Sequence, residues 1–157
     1  MKVFISHKQE DAKIASDISR ELGRLNVNFY LDVLENITEN GKALTDHIKY
    51  NLNICTDIIV VMSHNTYKSQ WVPFEVGMAA QQDMPTVTYL ENNVKLPDFL
   101  EYWPRLRSLT DIKKYVETKK QIEYYYGNRR YAGIFENSEL RGQSKIERFY
   151  SELKSKL

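Results

Sequence analysis

Short, unbroken apolar runs alternate along this chain with longer stretches in which apolar residues recur every three or four positions. That alternation predicts strands joined by crossover helices, the pattern of a parallel α/β sheet. Val3-Phe4-Ile5 is the first run. Over residues 10–25, Ile14, Ile18, Leu22 and Leu25 fall on one helical face, and Gly23 with Asn26 help to end the helix. Residues 28–31 predict a second strand. Residues 32–42 are polar, contain Asn36, Asn40 and Gly41, and hold no sustained period, which predicts a long loop of the kind that is often functional. Leu44, Ile48 and Leu52 mark a second helix over 43–52. Ile58-Ile59-Val60-Val61-Met62 is β-branched and lacks polar alternation, as a central strand buried on both faces requires. A polar loop follows over 63–69. A third helix is expected over 71–82, with Pro73 tolerated only in its first turn. A fourth strand is expected over 85–89, a loop over 92–104, a short fifth strand over 106–109 and a helix over 111–124. Ile146, Phe149, Tyr150 and Leu153 give a last helix its apolar stripe.

At 157 residues the chain fits one domain, and 42% hydrophobic with 27% charged residues is a globular composition. The net charge of +1 excludes a global field drawing the protein to nucleic acid or an anionic membrane. It conceals an asymmetry, since residues 1–102 carry 9 basic and 14 acidic side chains and residues 103–157 carry 13 and 7. The single cysteine, Cys55, rules out an internal disulfide and precedes an apolar run, where a small buried hydrophobe is expected. The chain opens Met-Lys-Val-Phe-Ile-Ser without the pattern of a secretory leader, and no apolar run reaches the length of a membrane span, so a cytoplasmic location is expected. His7, His47 and His64 lack zinc-type spacing, and no metal site is expected.

The candidate chemistry gathers where the predicted strands end. In Ser69-Gln70-Trp71-Val72-Pro73-Phe74-Glu75, helical spacing puts Glu75 on one face with Trp71 and Ala79, a carboxylate among apolar neighbours. Two readings stand: a functional acid in a desolvated site, or a rim carboxylate that reaches water or pairs with a lysine. Trp71 alone reads as core. Ser6-His7-Lys8 directly follows the first strand, at the kind of carboxyl end where parallel sheets bind ligands, though His7 alone reads as a surface loop residue. Asp32 closes Phe29-Tyr30-Leu31-Asp32, and Ser63 also follows a strand. No G-x-G-x-x-G and no G-x-x-x-x-G-K-[ST] occurs, so neither a Rossmann fingerprint nor a P-loop is present. A phosphorelay receiver would need an acidic pair beside the first strand, where this chain has Ser-His-Lys.

Together these segments resemble the TIR (Toll/interleukin receptor) domain in its bacterial stand-alone form. Val3-Phe4-Ile5-Ser6-His7 with Asp11 looks like the family's opening box. Phe29-Tyr30-Leu31-Asp32 with Gly41 is similar to its second strand and mobile "BB" loop. Residues 57–63 resemble its third strand, and Ser69-x-Trp71-x-x-x-Glu75 resembles the signature of its NAD-cleaving members. The resemblance implies a flavodoxin-like fold with a central five-stranded parallel sheet flanked by helices, a TIR unit over residues 1–123, and a basic, tyrosine-rich C-terminal helical extension over 124–157 packed on it. It also implies cleavage of the nicotinamide–ribose bond of NAD+, which is substrate rather than cofactor. Glu75 is then the catalytic carboxylate, Trp71 stacks on the substrate or walls the pocket, Ser6 and His7 line the nicotinamide and ribose side, and Asp32 positions the loop or a hydroxyl. Self-association through TIR surfaces and a downstream effector that senses the product are implied by likeness to the signal-generating subunit of Thoeris-type antiphage systems. The alternative is a non-catalytic adaptor acting through TIR–TIR contacts. Arg129, Arg130 and Tyr131 raise nucleic-acid contact as a third reading, against tyrosines that pack the last helix onto the domain.

Overall fold

The apolar runs become five parallel strands in the order β2-β1-β3-β4-β5: β1 (Lys2–Ser6), β2 (Asn28–Leu31), β3 (Asp57–Met62), β4 (Thr86–Leu90) and β5 (Arg105–Leu106). The computed structural model describes residues 1–31, 41–131 and 144–157, with 129–131 described by backbone alone. Helices α1 (Ala12–Arg24), α2 (Gly41–Asn53), α3 (Trp71–Gln81), α4 (Leu109–Tyr131) and α5 (Lys145–Lys154) flank the sheet. The expected five-stranded parallel α/β fold is borne out.

Alternate residues of each strand feed opposite layers, as the pleat requires. Phe4, Ile58, Val60 and Met62 pack under α2 and α3 with Leu44, Ile48, Val72 and Val76. Val3, Ile5, Ile59, Val61 and Val87 pack on the other face against α1, α4 and α5, with Ile18, Leu22, Tyr115 and Phe149. All six residues of β3 are buried, which is why this strand reads as a continuous apolar run. After α1, Asn26 adopts φ 56° and the Val27 N–H bonds the Leu22 carbonyl at 2.9 Å, so a polar residue that tolerates the left-handed region turns the chain into β2.

Two expectations are corrected. The fifth strand was expected over 106–109 and forms instead at Arg105–Leu106, because Ser108 and Asp111 draw the following residues into a helix start. The Asp111 carboxylate accepts the Arg107 N–H at 3.0 Å and the Ser108 hydroxyl at 2.9 Å. Helix α4 runs to Tyr131 rather than stopping near Tyr124, so position 123/124 lies within it. The loop expected over 32–42 lies outside the described residues except for Gly41 and Lys42, which open α2.

At the amino ends of the strands, Asp57 (0% exposed) receives the Lys119 ammonium of α4 at 2.6 Å and the Thr56 hydroxyl at 2.6 Å. Burial pushes the Asp57 carboxyl above its ordinary value while Lys119 pulls it down. The ammonium also lies 5.2 Å from the centre of the Phe149 ring. The Tyr115 hydroxyl is fully buried near Asp57, and burial first, then the neighbouring charge, hold its pKa well up, yet it makes no hydrogen bond of sound geometry. Helix α5 closes this end. Ser144 and Glu147 form a reciprocal capping box at its start. Phe149 and Leu153 are buried with α1 and α4, and the Thr86 N–H at the head of β4 donates to the Tyr150 hydroxyl at 2.8 Å.

Candidate functional site at the carboxyl ends of β1 and β3

Ser6 is the last residue of β1, in register with Val60 of the neighbouring β3, and is wholly buried. Glu75, on the second turn of α3, is 1% exposed. Its Oε2 accepts a hydrogen bond from the Ser6 hydroxyl, so two residues 69 positions apart meet where β1 ends. The arrangement follows from the local sequence. Val72, Val76 and Ala79 hold α3 against the sheet, and Glu75, sharing their side of the helix, is carried inward with them. The Ser69 hydroxyl accepts the Val72 N–H at 3.2 Å, satisfying a donor of the first turn. A rim position for Glu75 is thereby excluded.

The other predicted positions divide. His7 follows Ser6 and is largely buried, with Nδ1 3.3 Å from the Ile5 carbonyl, and so belongs to the strand end rather than to an exposed loop. Trp71 lies one turn before Glu75, half-buried, packed on the α2–α3 layer and edge-on to Phe74 with ring centres 5.8 Å apart. Asp32 lies outside the described residues.

Beside Ser6 and Glu75 stands a second polar group, whose members Asp11 and Ser63 are visible in the sequence but whose pairing is not. Asp11, in the single 3-10 turn Gln9–Asp11 before α1, is 3% exposed and accepts the Ser63 and Thr66 hydroxyls at 2.6 Å each and the Asn65 amide at 2.8 Å. Ser63 follows β3, and its hydroxyl oxygen also takes the N–H groups of Asn65 (2.9 Å) and Thr66 (3.2 Å). The available signals were Ser63 directly after β3 and Asp11 at a helix start five residues past β1; that they meet across more than 50 residues was not visible.

Two open grooves, about 510 Å³ between α2 and α3 beside Phe74 and Met78 and about 570 Å³ near Asn26 and Phe29, lie apart from Ser6, His7, Trp71 and Glu75. Among the described residues no group of three or more His, Cys, Asp or Glu side chains is placed to hold a metal ion, and no helix is long and apolar enough to cross a membrane. Burial pushes the Cys55 thiol up to about 11, so it is held as a thiol and serves as a small apolar group.

The family model for the TIR domain matches residues 3–121. Among solved structures, the fold is similar to a 2-deoxyribosyltransferase from the psychrotolerant bacterium Bacillus psychrosaccharolyticus, at 12% identity and a TM-score of 0.57 over 71% of this chain and 90% of that one. It is also similar to the TIR domains of the activated Roq1 resistosome, which directly recognises the pathogen effector XopQ, at 16% identity and a TM-score of 0.47 over 98% of this chain and 81% of that one. No curated protein matches the sequence.

Proposed function

The chain belongs to the TIR domain family, and on that premise we propose that it cleaves the nicotinamide–ribose bond of NAD+, with Glu75 as the catalytic carboxylate. The observation that carries the reading is the placement of Glu75: a carboxylate 1% exposed, drawn under α3 and met by the Ser6 hydroxyl at the carboxyl end of a parallel strand. Ligands bind at such ends in open α/β sheets. The architecture also accommodates a 2-deoxyribosyltransferase, a likeness at 12% identity that speaks to the architecture alone.

In the proposed reaction the bond between the ribose anomeric carbon and the nicotinamide nitrogen breaks, and its electron pair returns to that nitrogen. Nicotinamide departs as a neutral molecule, so the leaving group needs no proton, and one carboxylate suffices where an ordinary glycosidase uses two. Glu75 stabilises the positive charge that develops on the ribose ring, an attraction strengthened by removal from water. Water then adds to the anomeric carbon and gives up a proton to yield ADP-ribose, or a nucleophilic atom of the same molecule closes a cyclic isomer. Ser6 orients the carboxylate, His7 and Trp71 contribute walls, and Asp32 positions a loop or a ribose hydroxyl. Exclusion of water from the cation favours cyclisation over hydrolysis. The product acts as a signal in antiphage defence, read by a downstream effector, and the chain self-associates through TIR surfaces.

A second reading is favoured by one specific observation: a carboxylate sealed to 1% exposure also suits an adaptor that engages other TIR domains without catalysis. Chromatography of NAD+ incubated with concentrated protein separates the two. The enzyme releases nicotinamide, and Glu75→Gln lowers the rate by about 10²–10³-fold, the scale of removing a preorganised electrostatic group. A folded, self-associating protein that leaves NAD+ intact establishes the adaptor, and a Glu75→Gln variant at the parent rate removes Glu75 from the mechanism.

A further inference from the structure

Asp11 takes no part in the proposed chemistry, yet its carboxylate is buried at 3% exposure and fully engaged. Oδ2 accepts from the Ser63 and Thr66 hydroxyls at 2.6 Å each, and Oδ1 accepts from the Asn65 amide at 2.8 Å. All three donors are neutral, so the buried charge is held by charge-assisted hydrogen bonds. The three lie on one turn, the stretch that leaves β3 and leads through Lys68 into α3. Asp11 itself lies on the segment that leaves β1 five residues after Ser6. The carboxylate therefore ties together the two chain segments that carry Ser6 and Glu75.

We propose that Asp11 is a positioning residue for the Glu75 site, clamping the 63–68 turn to the segment after β1 and so setting where α3 presents Glu75 relative to Ser6. The inference rests on the NAD+-cleaving reading. A carboxylate suits the task because all of its hydrogen-bonding capacity is for accepting, and three donors converge on it. An asparagine would turn an NH2 group toward one of them. The Ser63 hydroxyl, donating to Asp11 while accepting two N–H groups of its own turn, makes that turn rigid enough to transmit the clamp to the first turn of α3. A displacement of about 1 Å at a reacting group costs on the order of 100-fold in rate.

The test is steady-state NAD+ cleavage by the full chain and by Asp11→Asn, with melting curves recorded beside them. The expected result is a kcat lower by about 10- to 100-fold with KM for NAD+ changed by less than about threefold, since the substrate contacts themselves are untouched. Adding Asn65→Asp supplies an acceptor opposite the new amide and restores most of kcat. Thr66→Val, which removes a single donor, gives a smaller loss in the same direction and serves if Asp11→Asn fails to fold. A folded Asp11→Asn with the parent kcat, or a loss of rate that follows only the loss of folded protein, overturns the inference while leaving the reaction in place. A parent protein that does not cleave NAD+ removes the reaction, and the role assigned to Asp11 with it.

Discussion

The two ends of β3 bury carboxylates in opposite ways. At its amino end, Asp57 is matched by a cation, Lys119, in a sealed pair beneath an aromatic ring. Past its carboxyl end, Asp11 is held by two hydroxyls and an amide, and Glu75 meets the hydroxyl of Ser6. A buried ion pair joins two elements, α4 and β3, and is disrupted strongly when either partner is lost. Hydroxyls and an amide instead fasten Asp11 to the turn after β3, and Glu75 meets the Ser6 hydroxyl at the kind of strand end where parallel sheets bind ligands. The amino end is thus closed by a charge pair, and the carboxyl end carries the candidate site.

That contrast breaks first at Glu75 and Lys119. Glu75→Gln is expected to lower turnover by about 10²–10³-fold while melting near the parent temperature, because the amide keeps an acceptor for the Ser6 hydroxyl. A marked loss of stability would mean that Glu75, like Asp57, is structural. Lys119→Met is expected to lower stability by about 3–5 kcal/mol in denaturant titration, because it strands the Asp57 carboxylate. Asp57→Asn added to it recovers a large part of that loss.

The pH dependence sharpens the same point. Burial raises the Asp57 carboxyl above its ordinary 3.8, so the folded protein holds this proton more tightly than the unfolded chain. Its contribution is therefore most favourable below 3.8 and is lost as pH rises through the folded value. Without Lys119 the folded value climbs further. The deficit of Lys119→Met is accordingly greatest at neutral pH and shrinks on acidification toward 3.8, and denaturation across a pH series reads it directly. A deficit independent of pH would show that lost packing on Phe149, rather than the stranded charge, is responsible.

Smaller effects are expected where α5 meets the sheet. Tyr150→Phe leaves the Thr86 N–H without its acceptor and is expected to cost about 1–2 kcal/mol in the same titration. Tyr115→Phe removes a hydroxyl that is buried without a sound hydrogen bond, and a change of less than about 1 kcal/mol is expected. A larger loss would show that this hydroxyl does support Asp57.

The carboxyl-end site was only partly legible in the chain. Glu75 and Trp71 stand four apart on one helix, a spacing that periodicity exposes, and Ser6 follows an apolar run that reads as a strand. Periodicity could place Glu75 on a face but not decide whether that face was rim or interior; the packing of Val72, Val76 and Ala79 decided it. Asp11 showed as a polar residue near a helix start and in the likeness to the family's opening box, but its partners, 52 to 55 residues away, did not show. Asp57 and Lys119, 62 apart, were silent for the same reason. The misplaced fifth strand came from reading Leu106 and Leu109 as one run, when the Ser108–Asp111 hydrogen bonds commit the second leucine to α4.

The sequence by itself determined the order of strands and helices and the parallel sheet, because burial on one face or two imposes a period that short windows of chain carry in full. Which polar residues would meet was decided only by the tertiary structure. Hydrogen bonds and ion pairs are short-ranged and carry no period, so the meetings of Ser6 with Glu75, Asp11 with Ser63 and Asp57 with Lys119 exist only once the β1–β3–β4 sheet brings distant segments within reach.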